Sequence, residues 1–102
     1  MNVEGTWDLV IATPLGKIKA VLELRQDNGT LTGTARGAGE EVPLTNLTAD
    51  GNRLTWNQAI TKPMRLNLTF DMTVDKDTLT GHSRAGRLPA SKVTGRRRTN
   101  HP

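Results

Sequence analysis

An all-β fold, an eight-stranded antiparallel up-and-down barrel built from two similar four-stranded halves, is predicted by three features of this 102-residue sequence. Apolar and polar residues alternate with period two over long runs, which sorts side chains onto the two faces of a strand. Clusters of Gly, Asn, Asp and Pro separate the runs at short intervals, as hairpin turns require. The chain also repeats itself: Thr78-Leu79-Thr80-Gly81 copies Thr30-Leu31-Thr32-Gly33, and Leu54-Thr55-Trp56 echoes Gly5-Thr6-Trp7.

The turn signals divide the chain into strands at about 4–13, 16–26, 30–37, 40–49, 52–61, 63–74, 78–85 and 87–98. Pro14-Leu15-Gly16, Asp27-Asn28-Gly29, Gly37-Ala38-Gly39, Asp50-Gly51-Asn52, Lys62-Pro63, Asp75-Lys76-Asp77 and Gly86 mark the connections. Trp56 follows Trp7 by 49 residues, but Leu79 follows Leu31 by 48, so the second half has lost one residue in its first hairpin. Val42-Pro43-Leu44 aligns with Leu88-Pro89-Ala90 at a spacing of 46, which places a second length change near Gly86. Turns absorb such changes readily. Two copies are too few for a solenoid, and hairpins in simple succession suit a meander. Closing the sheet covers its apolar face and removes its edges; a two-sheet sandwich is the alternative.

The alternation assigns an inward face. Met64, Leu66, Leu68, Phe70, Met72 and Val74 interleave with polar residues, and Ile18, Ala20, Leu22 and Leu24 are their counterparts in the first half. Trp7, Leu9 and Ile11 face in from the first strand, and Leu54, Trp56, Gln58 and Ile60 from the fifth. The third strand contributes Leu31, Gly33, Ala35 and Gly37, and the seventh Leu79, Gly81, Ser83 and Ala85. Small residues opposite large ones leave two outcomes, a filled interior or a small apolar cavity, since eight strands suit either. The halves differ inside: Gln58 takes the slot of Leu9, and Ser83 that of Ala35. A buried amide or hydroxyl needs a partner, either a ligand or a group within the protein.

Composition narrows the function classes. The length suits one domain over residues 1–98, with 99–102 as a flexible tail. There is no cysteine, so no disulfide or thiolate chemistry, which is compatible with a cytoplasmic protein. Met1-Asn2-Val3-Glu4 lacks the basic start and apolar run of a signal peptide, and no apolar stretch is long enough for a membrane helix. The net charge of +4 comes mostly from Arg96, Arg97 and Arg98, because residues 1–95 hold 11 basic and 10 acidic side chains. Nucleic-acid binding would interleave basic residues with exposed aromatics, and no Trp or Phe falls on the outward parity.

Gly5-Thr6-Trp7 at the start of the first strand resembles the Gly-x-Trp signature of lipocalins and the wider calycin group, small antiparallel barrels that bind ligands in the mouth. The resemblance implies an Arg on the last strand packing over the indole, so one of Arg96, Arg97 and Arg98 is expected to stack on Trp7. Together with Gly29-Thr30-Leu31-Thr32-Gly33-Thr34, the motif also resembles the first three strands of avidins, eight-stranded barrels that bind biotin. Ala35 stands where a tyrosine would be needed, and the tryptophans of the later avidin strands have no counterparts, so this likeness implies the barrel alone. Over its whole length the chain is similar to uncharacterised bacterial lipocalin-like proteins, a resemblance that carries no activity.

Catalytic and metal constellations are absent from the pattern. His82 falls on the outward parity, His101 lies in the tail, and no metal-ligand spacing occurs. Ser83 and His82 point to opposite faces, which rules out a triad through that pair. Glu40-Glu41 and Asp75/Asp77 sit at turns, and no acid faces inward. The expected function is binding of a small, mainly apolar molecule inside the barrel, without a cofactor. Trp7, Trp56, Gln58, Phe70, Met72 and Ser83 are the candidate contacts. A small cofactor-free enzyme of the isomerase or cyclase type, or a structural module with a filled barrel, are the alternatives. Outward Val10 and Val21 offer part of a homodimer contact.

Overall fold

The structure, a computed structural model, describes residues 3–14, 16–61 and 65–98. Its strands are β1 (Gly5–Thr13), β2 (Gly16–Asp27), β3 (Thr30–Gly37), β4 (Glu40–Pro43), β5 (Thr45–Asp50), β6 (Arg53–Ile60), β7 (Leu66–Asp75), β8 (Thr78–Ala85) and β9 (Ser91–Arg97). They form one antiparallel sheet in the order β4-β3-β2-β1-β9-β8-β7-β6-β5. Its two ends, β4 and β5, are consecutive in the chain with only Leu44 between them. The sheet is therefore curled into a nearly closed barrel, and no helix occurs among the described residues. The expected tail at 99–102, His101 and the Pro63-Met64 part of the sixth predicted strand lie outside the described residues.

The barrel has nine strands where the sequence pattern predicts eight, because the segment 40–49 breaks. Its first part pairs with β3 through Ala35↔Val42 and Gly37↔Glu40, and its second part with β6 through Thr48↔Thr55 and Asp50↔Arg53. Val42 is buried and Leu44 half-buried, but the next inward apolar residue is Leu47, three positions on rather than two. The extra residue is taken up by a bulge between Thr45 and Thr48, where Asn46 adopts φ +52°. Asn tolerates this left-handed conformation better than most residues. Proline contributes on the other side. The Leu44 amide donates to Gly33 O at 2.9 Å, so the amide position of Pro43 faces away from β3, toward β6. It has no hydrogen to give there. A seam opens between β4 and β6, bridged by Glu40, whose carboxylate accepts from the Thr61 amide at 2.9 Å and the Thr61 hydroxyl at 2.5 Å.

The repeat is visible in the strand registers. Trp7↔Leu22, Leu22↔Ala35 and Leu24↔Gly33 in the first half correspond to Trp56↔Phe70, Phe70↔Ser83 and Met72↔Gly81 in the second. The one-residue loss in the second half's first hairpin holds. The alignment of Val42-Pro43-Leu44 with Leu88-Pro89-Ala90 does not. Residues 88–90 precede β9, and Ser91, opposite Ser83, takes the place that Val42 has opposite Ala35. Arg97 pairs with Trp7, and the β5–β6 register leads to Leu47 beside Trp56. Leu47 is therefore the counterpart of that arginine.

The predicted inward parity holds along every repeated strand, but burial is graded. Trp7, Leu22, Leu24, Leu54, Trp56, Phe70, Met72, Leu79 and Val93 are almost wholly buried. Ile11, Ala20, Ile60, Leu66 and Leu68, nearer the β1–β2 and β6–β7 hairpins, are only partly covered. Val3 and Val93 join the core beyond the residues that the alternation singled out. The polar outer face carries ion pairs. Arg53 forks onto Asp71 at 2.9 and 2.5 Å, and Arg98 reaches Asp8 at 2.5 Å. Hydrogen bonding from these guanidinium groups holds the Asp71 and Asp8 carboxyls below the usual carboxylate range. Exposure to solvent limits what such pairs add to stability.

Candidate ligand-binding cavity

The closed end of the barrel is anchored by Trp7. Its Nε1 donates to Val3 O at 3.0 Å, which holds the N-terminal segment under the barrel. The Arg97 guanidinium lies over the ring, 4.5 Å from its centroid, so the expected arginine stack is present and Arg97 supplies it. Arg97 also donates to Asp77 Oδ1 at 2.8 Å and to Glu4 O. In the second half, Trp56 and Phe70 stack with centroids 4.8 Å apart and planes 9° from parallel. These aromatics fill the lower half of the interior.

The upper half is hollow. A cavity of about 430 Å³ opens at the end of the barrel that carries the β1–β2, β3–β4, β6–β7 and β8–β9 connections. Its walls are Ile11, Ala20, Ala35, Val42, Ile60, Leu66, Leu68 and Ala85, with Leu88, Pro89 and Ala90 along the rim. Small residues create the space: Ala35 and Ala85 stand where longer apolar side chains would meet across the barrel. The two large apolar side chains most exposed among the described residues, Leu88 at 58% and Ile18 at 42%, both lie on this mouth. The polar lining consists of Gln58, Ser83 and Ser91 inside, with Thr13, Arg36 and Glu40 toward the edge. The edge charges are engaged, Arg36 with Glu23 at 2.9 Å and Glu40 with Thr61.

Of the six contacts expected from sequence, Gln58 and Ser83 line the cavity. Trp7, Trp56, Phe70 and Met72 do not; each is almost completely buried in the packed half below. The Gln58 carbonyl accepts from Trp56 Nε1 at 2.9 Å, which connects the packed floor to the cavity wall. The strongest unforeseen feature of the site is the rim at 88–90, which the pattern assigns to a strand. The walls Ile11, Ala20, Ile60 and Leu68 were legible as inward residues, but nothing local distinguishes a wall from a core position. The distinguishing signal is their shared distance from the three aromatics, all of which fall at the other end.

Val10 and Val21, diagonal neighbours on β1 and β2, sit in a separate outer concavity bordered by Asp8, Lys19, Arg36 and Arg98. Ala20, Arg36 and Gly37 border both this concavity and the cavity inside the barrel. Among the described residues no three His, Cys, Asp or Glu side chains gather as a metal-ligand set, and His82 lies on the outer face opposite Asp71.

No protein-family model matches the sequence, and no curated protein matches it. The chain is similar in structure to a redesigned β-barrel, with a TM-score of 0.70, 15% sequence identity, and coverage of 96% of this chain and 92% of that one. At that identity the likeness establishes the β-barrel fold alone.

Proposed function

We propose that this protein is a lipocalin-like barrel that binds a small, mainly apolar molecule in its open half. The cavity carries the reading. Its volume of about 430 Å³ falls within the roughly 300–1,000 Å³ typical of small-molecule sites, and an apolar wall with a few polar groups is the usual make-up of such sites. The contrast with the tightly packed lower half adds support, because a barrel serving only as a structural plug has no use for a hollow mouth. Arg97 over Trp7, together with Gly5-Thr6-Trp7, supports the lipocalin-like side of the proposal. General acid–base chemistry gains no support: the titratable residues lining the cavity, Arg36 and Glu40, are at its edge and already bonded.

Titration with the neutral fluorescent dye Nile red tests this. The wild-type protein is expected to give a saturable gain in emission. Ala35→Phe and Ala85→Phe, which fill the cavity at two heights, should each weaken binding about tenfold or more. Val21→Ser, on the outer face, should leave it unchanged. Unaltered binding in both filled variants, with both folded by circular dichroism, contradicts the proposal.

A further inference from the structure

We propose that the cavity selects neutral apolar molecules that carry a hydrogen-bond-accepting oxygen, such as a ketone carbonyl, and that Gln58 Nε2 is the donor that recognises it. This rests on the binding function proposed above and assigns the ligand class of the same site. The orientation of the Gln58 amide is not arbitrary. Trp56 Nε1 lies 2.9 Å from the amide, and an indole N–H can only donate. The atom facing it is therefore Oε1, which leaves the NH₂ group turned elsewhere. Trp56 cannot swing to release it, since its ring is fully buried and stacked on Phe70.

Gln58 lines the cavity. Among the described residues no protein group accepts a hydrogen bond from its Nε2, and that atom is not sealed away from solvent. The cavity thus presents a fixed donor with no partner, set in apolar walls. An alkane filling the space would strip water from that donor and return nothing, whereas a carbonyl oxygen would replace the lost water bond. Ser83 and Ser91, paired across β8 and β9, can donate or accept and so do not distinguish an accepting group from a donating one. A carboxylate would enter without a cation, because Arg36 stands at the edge and is paired with Glu23 and Glu41. An ammonium group would meet the Gln58 donor head-on.

The test is competition of four probes with equal carbon number against bound Nile red: methyl octyl ketone, decane, decylamine and decanoate. The ketone is expected to bind the wild-type protein about tenfold or more tighter than decane, with the two charged probes weaker still. Gln58→Leu should lower the ketone-to-decane ratio several-fold; leucine fits, since Leu9 fills the equivalent slot in the first half. Gln58→Glu keeps an acceptor for Trp56 but replaces the donor, and should move the preference from ketone to decylamine. Trp56→Phe retains the stacked ring, frees the amide and should lower the ratio. Equal binding of ketone and decane, or a ketone preference undiminished in Gln58→Leu, overturns the proposal while leaving an apolar binding site intact. Displacement of Nile red by none of the four overturns the ligand assignment, whereas failure of the wild-type protein to bind Nile red overturns the binding function itself, and the ligand assignment with it.

Discussion

Gly81→Ala is expected to cost about 3 kcal/mol or more, above the usual range for overpacking and a large share of the roughly 5–15 kcal/mol that holds a domain together. A Cβ at Gly81 would stand 2.0 Å from Asp71 O and 2.8 Å from Met72 Cα. Both are backbone atoms of the paired strand β7, so no rotamer change relieves the clash; the two strands would have to separate. Gly33, its counterpart, has the same problem, with Glu23 O at 2.7 Å and Leu24 Cδ2 at 2.7 Å. This explains why Leu-Thr-Gly occurs in both halves: close approach of two strands opposite a large inward side chain leaves no room for a methyl group. Gly37, whose nearest contacts are 3.3 and 3.4 Å away, supplies the control, and Gly37→Ala should change stability by less than about 1 kcal/mol. Urea unfolding followed by tryptophan emission measures all three. A Gly81→Ala protein as stable as Gly37→Ala would contradict this close spacing of β7 and β8.

Phe70→Ala carries the second large effect, an expected loss of about 3–5 kcal/mol. Phe70 is 1% exposed and stacks on Trp56, so truncation removes the stack as well as the buried area. It also deepens the hollow. Phe70 pairs with Ser83, which lines the cavity, so the space left by the ring should join the existing one. Nile red is expected to bind the folded variant at least as tightly as wild type while the urea midpoint falls. The equivalent Leu22→Ala in the first half should be destabilising too, at about 2–5 kcal/mol. A midpoint for Phe70→Ala equal to wild type would place the ring outside the core.

Much of this architecture was legible in the sequence because period-two alternation is a direct record of which face is buried. Phe70, Met72 and Val74 read as inward and are buried. Asn28-Gly29 reads as a tight turn, and both residues have positive φ, 51° and 81°. The split at Leu44 was masked by overall similarity to a strand, although the apolar spacing Val42, Leu44, Leu47 changes from two to three at the bulge. The mismatch of 88–90 with 42–44 has a different cause. A shared proline between apolar neighbours outweighed pairing geometry that only the fold reveals. Within the interior, Gln58 and Ser83 stood out because they break the repeat. The four large residues grouped with them are the kind that also fill space, and packing around Trp7, Trp56 and Phe70 leaves the hollow to the alanines, leucines and isoleucines above.

The central claim is that the upper half of the barrel is a binding cavity and the lower half a packed core. Methyl-resolved NMR during titration with methyl octyl ketone tests it most directly. The expected result is saturable shifts in Ile11, Ala20, Ala35, Ile60, Leu68 and Ala85, with Leu54, Met72 and Leu79 nearly unmoved. Shifts confined to Val10 and Val21 on the outer face, or no saturable shifts in the cavity methyls, would contradict it.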